Sequence, residues 1–184
     1  MSQKSNDRAL KTKELLKESY IKLLGQNDAE KITVTEICNA AGITRSTFYS
    51  YYPSACALLN SITSDFLNEV FNLLAVDPAK NFSREKKLCE MFDLFRKNHA
   101  LISYLLNTDQ QKKFTTIIYS GFYSLFESDF NSIEKEKHDS LTAFIIEGVF
   151  GMIQVWIDSG MKTSSKKMSE FSVLLINECF SVIR

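Results

Sequence analysis

Between residues 33 and 53 the chain is punctuated four times, by Thr33, Gly42, Thr44 and Pro53. Thr33-Val34-Thr35-Glu36 has the form of a capping box: the threonine hydroxyl accepts from the backbone near Glu36, and the Glu36 carboxylate reaches back to Thr33. A helix therefore starts there and runs to about Ala41. Gly42 supplies the turn. Thr44 is the next N-cap and opens a helix that extends through Tyr51, where Pro53 stops it. Two short helices joined by a tight glycine-containing turn make a helix-turn-helix.

Breakers are rare everywhere else. The chain has six Gly and two Pro in 184 residues and little strand-like alternation, so it reads as all-α. The first helix is expected from about Arg8 to Leu24. Leu16, Tyr20, Leu23 and Leu24 share one face of it, Lys11, Lys13, Lys17 and Lys22 fill the others, and Gly25 ends it. Ser54 caps a long helix with Leu58, Ile62, Phe66 and Val70 on one stripe, and Pro78 and Asn81 mark the break after it. Further helices are predicted over 83–97, 98–106, 109–130, 137–159 and 165–182, about nine in all. The expected organisation is a three-helix helix-turn-helix domain over residues 1–53 and a larger helical domain over residues 54–184.

Charge and cysteine usage narrow the function. Net charge is zero and the pI is about 6.7. That argues against a protein that coats nucleic acid indiscriminately, because such binding rests on counterion release by many Lys and Arg. Residues 1–52 hold eight Lys or Arg against six Asp or Glu, a surplus of +2, and the remainder carries −2. The sign suits an N-terminal segment that approaches DNA. Four Cys stand far apart, at 38, 56, 89 and 179, without CxxC spacing, so free thiols are expected rather than a zinc site or a redox pair. The two histidines, His99 and His138, lack metal-ligand or triad-like spacing, and no glycine-rich phosphate loop occurs. Neither catalysis nor a cofactor nor a metal is expected. The N-terminus lacks an apolar run and no stretch reaches the roughly 18 apolar residues of a membrane span, so no membrane partner and a cytoplasmic location are expected.

On a helix opened by Thr44, Ile43 and Phe48 turn inward, and Arg45, Ser46, Thr47, Tyr49 and Ser50 are left on the outer rim near the N-terminal end. That end of a recognition helix is what enters a major groove. Short hydroxyls reach base edges or phosphates, Arg pairs with guanine in a bidentate way, and Tyr hydroxyls commonly contact phosphate. Lys13, the helix start at Thr33, Thr44 itself and Tyr51 complete the candidate DNA-binding set. Taken singly, each of these residues is an ordinary polar surface residue; the capping box, the glycine turn and the proline stop are what group them.

The segment from Thr12 to Leu59 resembles the N-terminal domain of TetR-type transcriptional regulators. The resemblance runs through Thr12, Thr33, Ala41, Gly42, Ile43, Thr44, Thr47, Phe48, Tyr49 and Tyr52. It covers about fifty residues and implies a dimeric DNA-binding regulator, usually a repressor, that leaves a palindromic operator when a small effector binds. One departure stands out. The family pattern places Lys three residues after the final aromatic of the recognition helix, and here that position is Ala55, followed by Cys56. A phosphate contact is thereby lost, which should weaken binding and flatten its salt dependence by about one unit of slope. The alternative that this departure and the neutral net charge support is a protein-interaction module derived from a helix-turn-helix, or a ligand-independent regulator or co-activator.

In residues 54–184, the segments around MFDLFRKNHALISYLL and IEGVFGMIQVWIDSGMKTSSKKMSEF look like the ligand and dimer domain of a Gram-positive branch of the same family. Independently, Leu141, Ile145, Val149, Met152 and Trp156 form one stripe, with Phe144 and Ile153 alongside, and Met168, Phe171, Leu175, Ile176, Cys179, Phe180 and Ile183 recur on the last helix. These apolar faces are wider than one core needs. Leu141, Ile145, Val149, Met152, Trp156, Phe171, Leu175 and Phe180 are therefore the candidate homodimer interface, a four-helix bundle that Gly148 and Gly151 would allow to close tightly. A ligand pocket is expected among Phe66, Phe92, Phe95, His99, Tyr104, Tyr119, Phe122, Tyr123, Phe126, Glu147 and Phe150, with Glu147 orienting a small apolar or cationic effector. Core packing is the competing assignment for each of these aromatics.

Overall fold

The computed structural model describes residues 2–75 and 83–181, and within them the chain forms ten α-helices, one 3-10 turn and no strand. Pro78, Asn81, Val182 and Ile183 lie outside the described residues. The elements are α1 (Ser2–Leu24), the 3-10 turn Ala29–Lys31, α2 (Val34–Ala41), α3 (Arg45–Tyr49) and α4 (Ala55–Leu74). They are followed by α5 (Arg84–Lys97), α6 (His99–Leu106), α7 (Gln111–Leu125), α8 (Glu127–Phe130), α9 (Lys135–Asp158) and α10 (Ser165–Ser181). Two compact units result, Met1–Phe66 and Leu67–Arg184. The division falls inside α4, later than the 53/54 boundary expected from Pro53. The Nζ of Lys17 in α1 pairs with the carboxylate of Asp65, which ties the first part of α4 to the first unit.

In the first unit Leu16 and Tyr20 of α1, Ile37 of α2, Phe48 of α3 and Leu58 of α4 are almost completely buried, with Ile32, Leu59, Ile62 and Phe66 around them. This is the inward stripe that helical spacing predicts. α1 begins at Ser2 rather than Arg8, since no Gly or Pro precedes Arg8 to stop it. α3 ends at Tyr49 rather than Tyr51. There the Ser50 Oγ donates to the Thr47 carbonyl at 2.6 Å, and the amides of Tyr51 and Tyr52 both turn back to the Phe48 carbonyl, so the chain tightens into a turn ahead of Pro53.

In the second unit α10 runs along α5. Ser165, Ser169 and Ser172 are buried on α10 at helical spacing, and such small side chains permit close approach. Ser169 and Ser172 satisfy their hydroxyls within the helix, donating to the carbonyls of Lys166 and Met168 at 2.8 and 2.6 Å. The expected single helix over 109–130 is instead α7 and α8. Arg84 explains the break: its Nε donates to the Leu125 carbonyl at 2.9 Å, its Nη2 pairs with Asp129 at 2.5 Å, and its guanidinium lies 4.4 Å from the centre of the Phe126 ring. A carbonyl that would continue α7 is thus capped by a side chain from another helix. Gly160 and Met161 are both left-handed, with φ of 77° and 54°, and turn the chain sharply from α9 into α10.

α9 is a long helix with much apolar surface. Over Glu136–Asp158 it is long and apolar enough, with a mean hydropathy of 1.6, to cross a membrane by length and composition. Its apolarity comes from two faces: Ile145, Ile146, Val149, Ile153 and Trp156 are buried, while Phe144 and Val155 point outward.

Candidate nucleic-acid interface

The helix-turn-helix is held by its two threonine caps. Thr33 Oγ1 accepts from the Glu36 amide at 3.3 Å, and the Glu36 carboxylate accepts from the Thr33 amide at 2.8 Å and from its hydroxyl at 2.7 Å. These hydrogen bonds, side chain before backbone, hold the Glu36 carboxyl below its ordinary range. Gly42 takes φ 65° at the end of α2, where a Cβ would be strained even though the space beside it is open. Thr44 then caps α3 by accepting from the Thr47 amide at 3.2 Å, with the two hydroxyls 2.9 Å apart.

Of the five residues of α3 only Phe48 is buried. Thr44, Arg45, Ser46, Tyr49 and Ser50 are exposed and Thr47 is half-buried. The guanidinium of Arg45 lies over the Tyr49 ring, 5.9 Å from its centre. Lys13 and Thr33 are also exposed and Tyr51 is half-buried. Lys13 Nζ stands 6.0 Å from the centre of the Tyr51 ring, which brings a cation of α1 to the turn that follows α3. Two cations are thus each laid on a tyrosine. The i to i+4 spacing of Arg45 and Tyr49 could have revealed the first pairing; the second is a tertiary contact with no local signal. Ala55 opens α4, capped by the Ser54 hydroxyl, which accepts from the Ala57 amide at 3.1 Å. Cys56 beside it is exposed, and Cys38 in α2 is buried, its thiol pushed up chiefly by that burial.

The candidate pocket residues are placed in several environments. Phe66 is buried in the first unit. In the second, Phe92, Phe95, Phe122 and Phe126 are essentially inaccessible, Tyr104, Tyr119, Tyr123 and Phe150 are half-buried, and His99 and Glu147 are exposed. Phe92 packs on Trp156, Phe95 on Phe114, Phe126 on Phe180 and Tyr123 on Phe130. Tyr119 donates to the Glu147 carboxylate, and burial, together with that bond, pushes its hydroxyl up to about 12. Tyr119 also lines an open hollow of about 410 Å³ with Gln111, Lys112, Thr115, Thr116 and Ser120.

The candidate dimer residues divide likewise. Ile145, Val149, Trp156 and Phe180 are buried within the chain, Leu141 and Met152 are half-buried, and Phe171 and Leu175 are exposed. The outward stripe of α9 lies one residue away from the one expected, at Phe144, Gly148, Gly151 and Val155, beside Phe171, Leu174 and Leu175 of α10. Two hollows score this face. One of about 200 Å³ includes Phe144, Gly148, Leu175 and Cys179, and one of about 560 Å³ includes Val155, Trp156, Lys167 and Phe171.

A three-helix head with two threonine-capped helices turned by a left-handed glycine defines a helix-turn-helix protein. Residues 21–62 match the family described as bacterial regulatory proteins, tetR family, and residues 83–178 match a transcriptional regulator C-terminal region. The chain belongs to the TetR family of transcriptional regulators. No curated protein matches it in sequence. Similar solved structures include a TetR regulator from Streptococcus agalactiae 2603V, 22% identical, covering 96% of this chain and 99% of that one with a TM-score of 0.66. A second is the dihydroxyacetone kinase operon activator DhaS, 17% identical, covering 94% and 98% with a TM-score of 0.67. A third is a tetR-family regulator from Streptomyces coelicolor, 16% identical, covering 92% and 83% with a TM-score of 0.68. At these identities the likeness is one of fold.

Proposed function

We propose that this TetR-family regulator is a non-enzymatic repressor that binds a palindromic operator as a homodimer and is released by a small effector. The observation that carries the reading is the exposed rim of α3, where Arg45, Ser46, Tyr49 and Ser50 surround one buried anchor, Phe48. Regulators of this family bind DNA and usually act as dimers. A recognition helix presented in this way reads base edges with its N-terminal side chains, while Lys13, Thr33, Thr47 and Tyr51 serve the phosphates.

The dimer is supported by the outward stripe of α9. A Cβ at Gly148 or Gly151 would meet nothing within 4 Å, so the fold of one chain gives no reason for glycine at either position. A helix of a second copy approaching that face does give one. Phe144 and Leu175 line a hollow with Gly148, and Val155 and Phe171 one with Gly151, and all four side chains are exposed. A two-fold dimer would set two recognition helices about 34–36 Å apart, one turn of DNA. For the effector, the Tyr119–Glu147 pair beside the 410 Å³ hollow is the support, a carboxylate that a cationic ligand would engage. Release would follow from a shift in the orientation of α4 between two populations.

A second reading is a protein-interaction module or a ligand-independent activator. Ala55, where the family pattern has Lys, favours it, and the fold is shared with a protein described as an operon activator.

The experiment is binding of the purified protein to duplex DNA from its own promoter region, titrated with salt, beside an Arg45→Ala, Tyr49→Ala variant. Selective, salt-sensitive binding that the variant loses is the expected result. Absence of selective binding overturns the repressor reading in favour of the interaction module.

A further inference from the structure

Arg45 does not project alone. Its Nη2 donates to the Tyr49 Oη at 3.5 Å, and the guanidinium lies over the ring of the same tyrosine, 5.9 Å from its centre. The two residues are the first and last of α3, one helical turn apart. Tyr49 is itself anchored, since its ring meets the buried Phe48 edge-on, with centres 5.5 Å apart and planes at 89°. Arg45 takes part in none of the ion pairs formed among the described residues, so its charge is not neutralised by a carboxylate.

A guanidinium carries five N–H donors in a planar fork. One of them engages Tyr49, and the fork keeps the pair of donors needed for a guanine edge. A free Arg side chain must be ordered from many rotamers before it can read a base. One already laid on a ring and hydrogen-bonded at its tip has lost part of that freedom beforehand.

We propose that Tyr49 is a positioning residue that orients Arg45 to read a single base pair of the operator, acting through the guanidinium rather than by a phosphate contact of its own. This rests on the reading of α3 as the recognition helix. The two roles differ in what they control. A phosphate contact affects all sequences alike, whereas a positioned Arg affects preference at one position.

The test selects from a library of duplexes with a randomised centre, using the full-length wild type, Arg45→Ala, Tyr49→Phe, Tyr49→Ala and the double variant Arg45→Ala, Tyr49→Ala. Arg45→Ala is expected to lose about tenfold to a hundredfold of discrimination at one base position. Tyr49→Ala loses preference at that same position, Tyr49→Phe, which keeps the ring and its packing on Phe48, loses less, and the double variant loses no more than Arg45→Ala. In the free protein, ¹⁵N relaxation of the Arg45 side chain shows greater mobility in Tyr49→Ala. Tyr49 variants that weaken all sequences equally with the preference intact, or single losses that multiply in the double variant, overturn the proposal. So does unchanged Arg45 mobility. A wild type that selects no sequence overturns the reading of α3 itself, and the proposal falls with it.

Discussion

Gly121 of α7 faces Leu74, the last residue of α4, so closely that a Cβ at position 121 would lie 2.6 Å from the Cβ of Leu74. Leu74 is fully buried and cannot swing aside at its Cβ. Gly121→Ala is therefore expected to destabilise the second unit by about 1–3 kcal/mol, the usual cost of overpacking. Urea denaturation measures it. Adding Leu74→Ala removes the Leu74 Cδ1, which would lie closer still to the new Cβ, but keeps the Leu74 Cβ, so the double variant should recover only part of the loss and be more stable than the sum of the two single changes allows.

Acid weakens the start of α2. The Glu36 carboxyl is held below its ordinary 4.5 by hydrogen bonds from Thr33. A depressed carboxyl contributes stability that is present above the unfolded value and lost as pH falls through the folded one. The head is thus expected to lose helix-cap protection below about pH 4.5, read as a lower protection factor for the Glu36 amide relative to its intrinsic exchange rate at each pH. Thr33→Val should make exchange there rapid at neutral pH as well. Equal protection in both proteins at neutral pH would contradict this account.

Alkali reaches Tyr119 in the opposite sense. Burial, and then the bond to Glu147, raise its hydroxyl from 10.0 to about 12. A raised group contributes stability that is complete below its unfolded value and disappears as pH rises through the folded one, so the window runs from 10.0 to about 12. Ultraviolet titration of wild type against Tyr119→Phe identifies this phenol. Glu147→Gln should bring its midpoint down part of the way, leaving the contribution of burial.

Restoring the missing cation tests how the head meets phosphate. Ala55→Lys adds a charge at the start of α4, where the hydroxyl of Ser54 already caps the helix. Binding to the selected duplex is expected to tighten at low salt, and the slope of log affinity against log salt to steepen by about one. A slope identical to that of the wild type would mean that position 55 does not face a phosphate.

The outward face of α9 and α10 makes a separate prediction. Phe144→Glu with Val155→Glu changes two exposed side chains without touching the buried Ile145, Val149 or Trp156. The double variant should keep its circular dichroism and sediment as a single chain, while the wild type sediments as two. A monomeric wild type would remove the dimer from the proposal.

The local features were legible in the sequence. The capping box at Thr33, the turn at Gly42 and the cap at Thr44 are interactions within a few residues, and each is present in the structure. What spacing cannot reveal is which partner a side chain finds across the fold. Nothing near Leu125 announces that Arg84 will take its carbonyl and divide a helix in two. Periodicity identified apolar faces on α9 but not which of two adjacent stripes would be covered by the chain's own core, because Ile145 and Phe144 differ by a single step of about 100° around the helix. The aromatic residues gathered as a pocket are apolar and inward by pattern, and pattern does not separate a ring that lines a space from one that fills it.

Phe48 is the one buried residue of α3, and the helix is capped by Thr44, whose hydroxyl accepts from the Thr47 amide, so neither its anchor nor its N-cap involves the side chains of Arg45 and Ser46. On the proposed reading of α3 as the recognition helix, its rim is a cassette. Arg45 and Ser46 can be exchanged with little consequence for folding provided position 49 keeps a ring against Phe48, and a scaffold built this way can be retargeted from one sequence to another while its architecture stays constant.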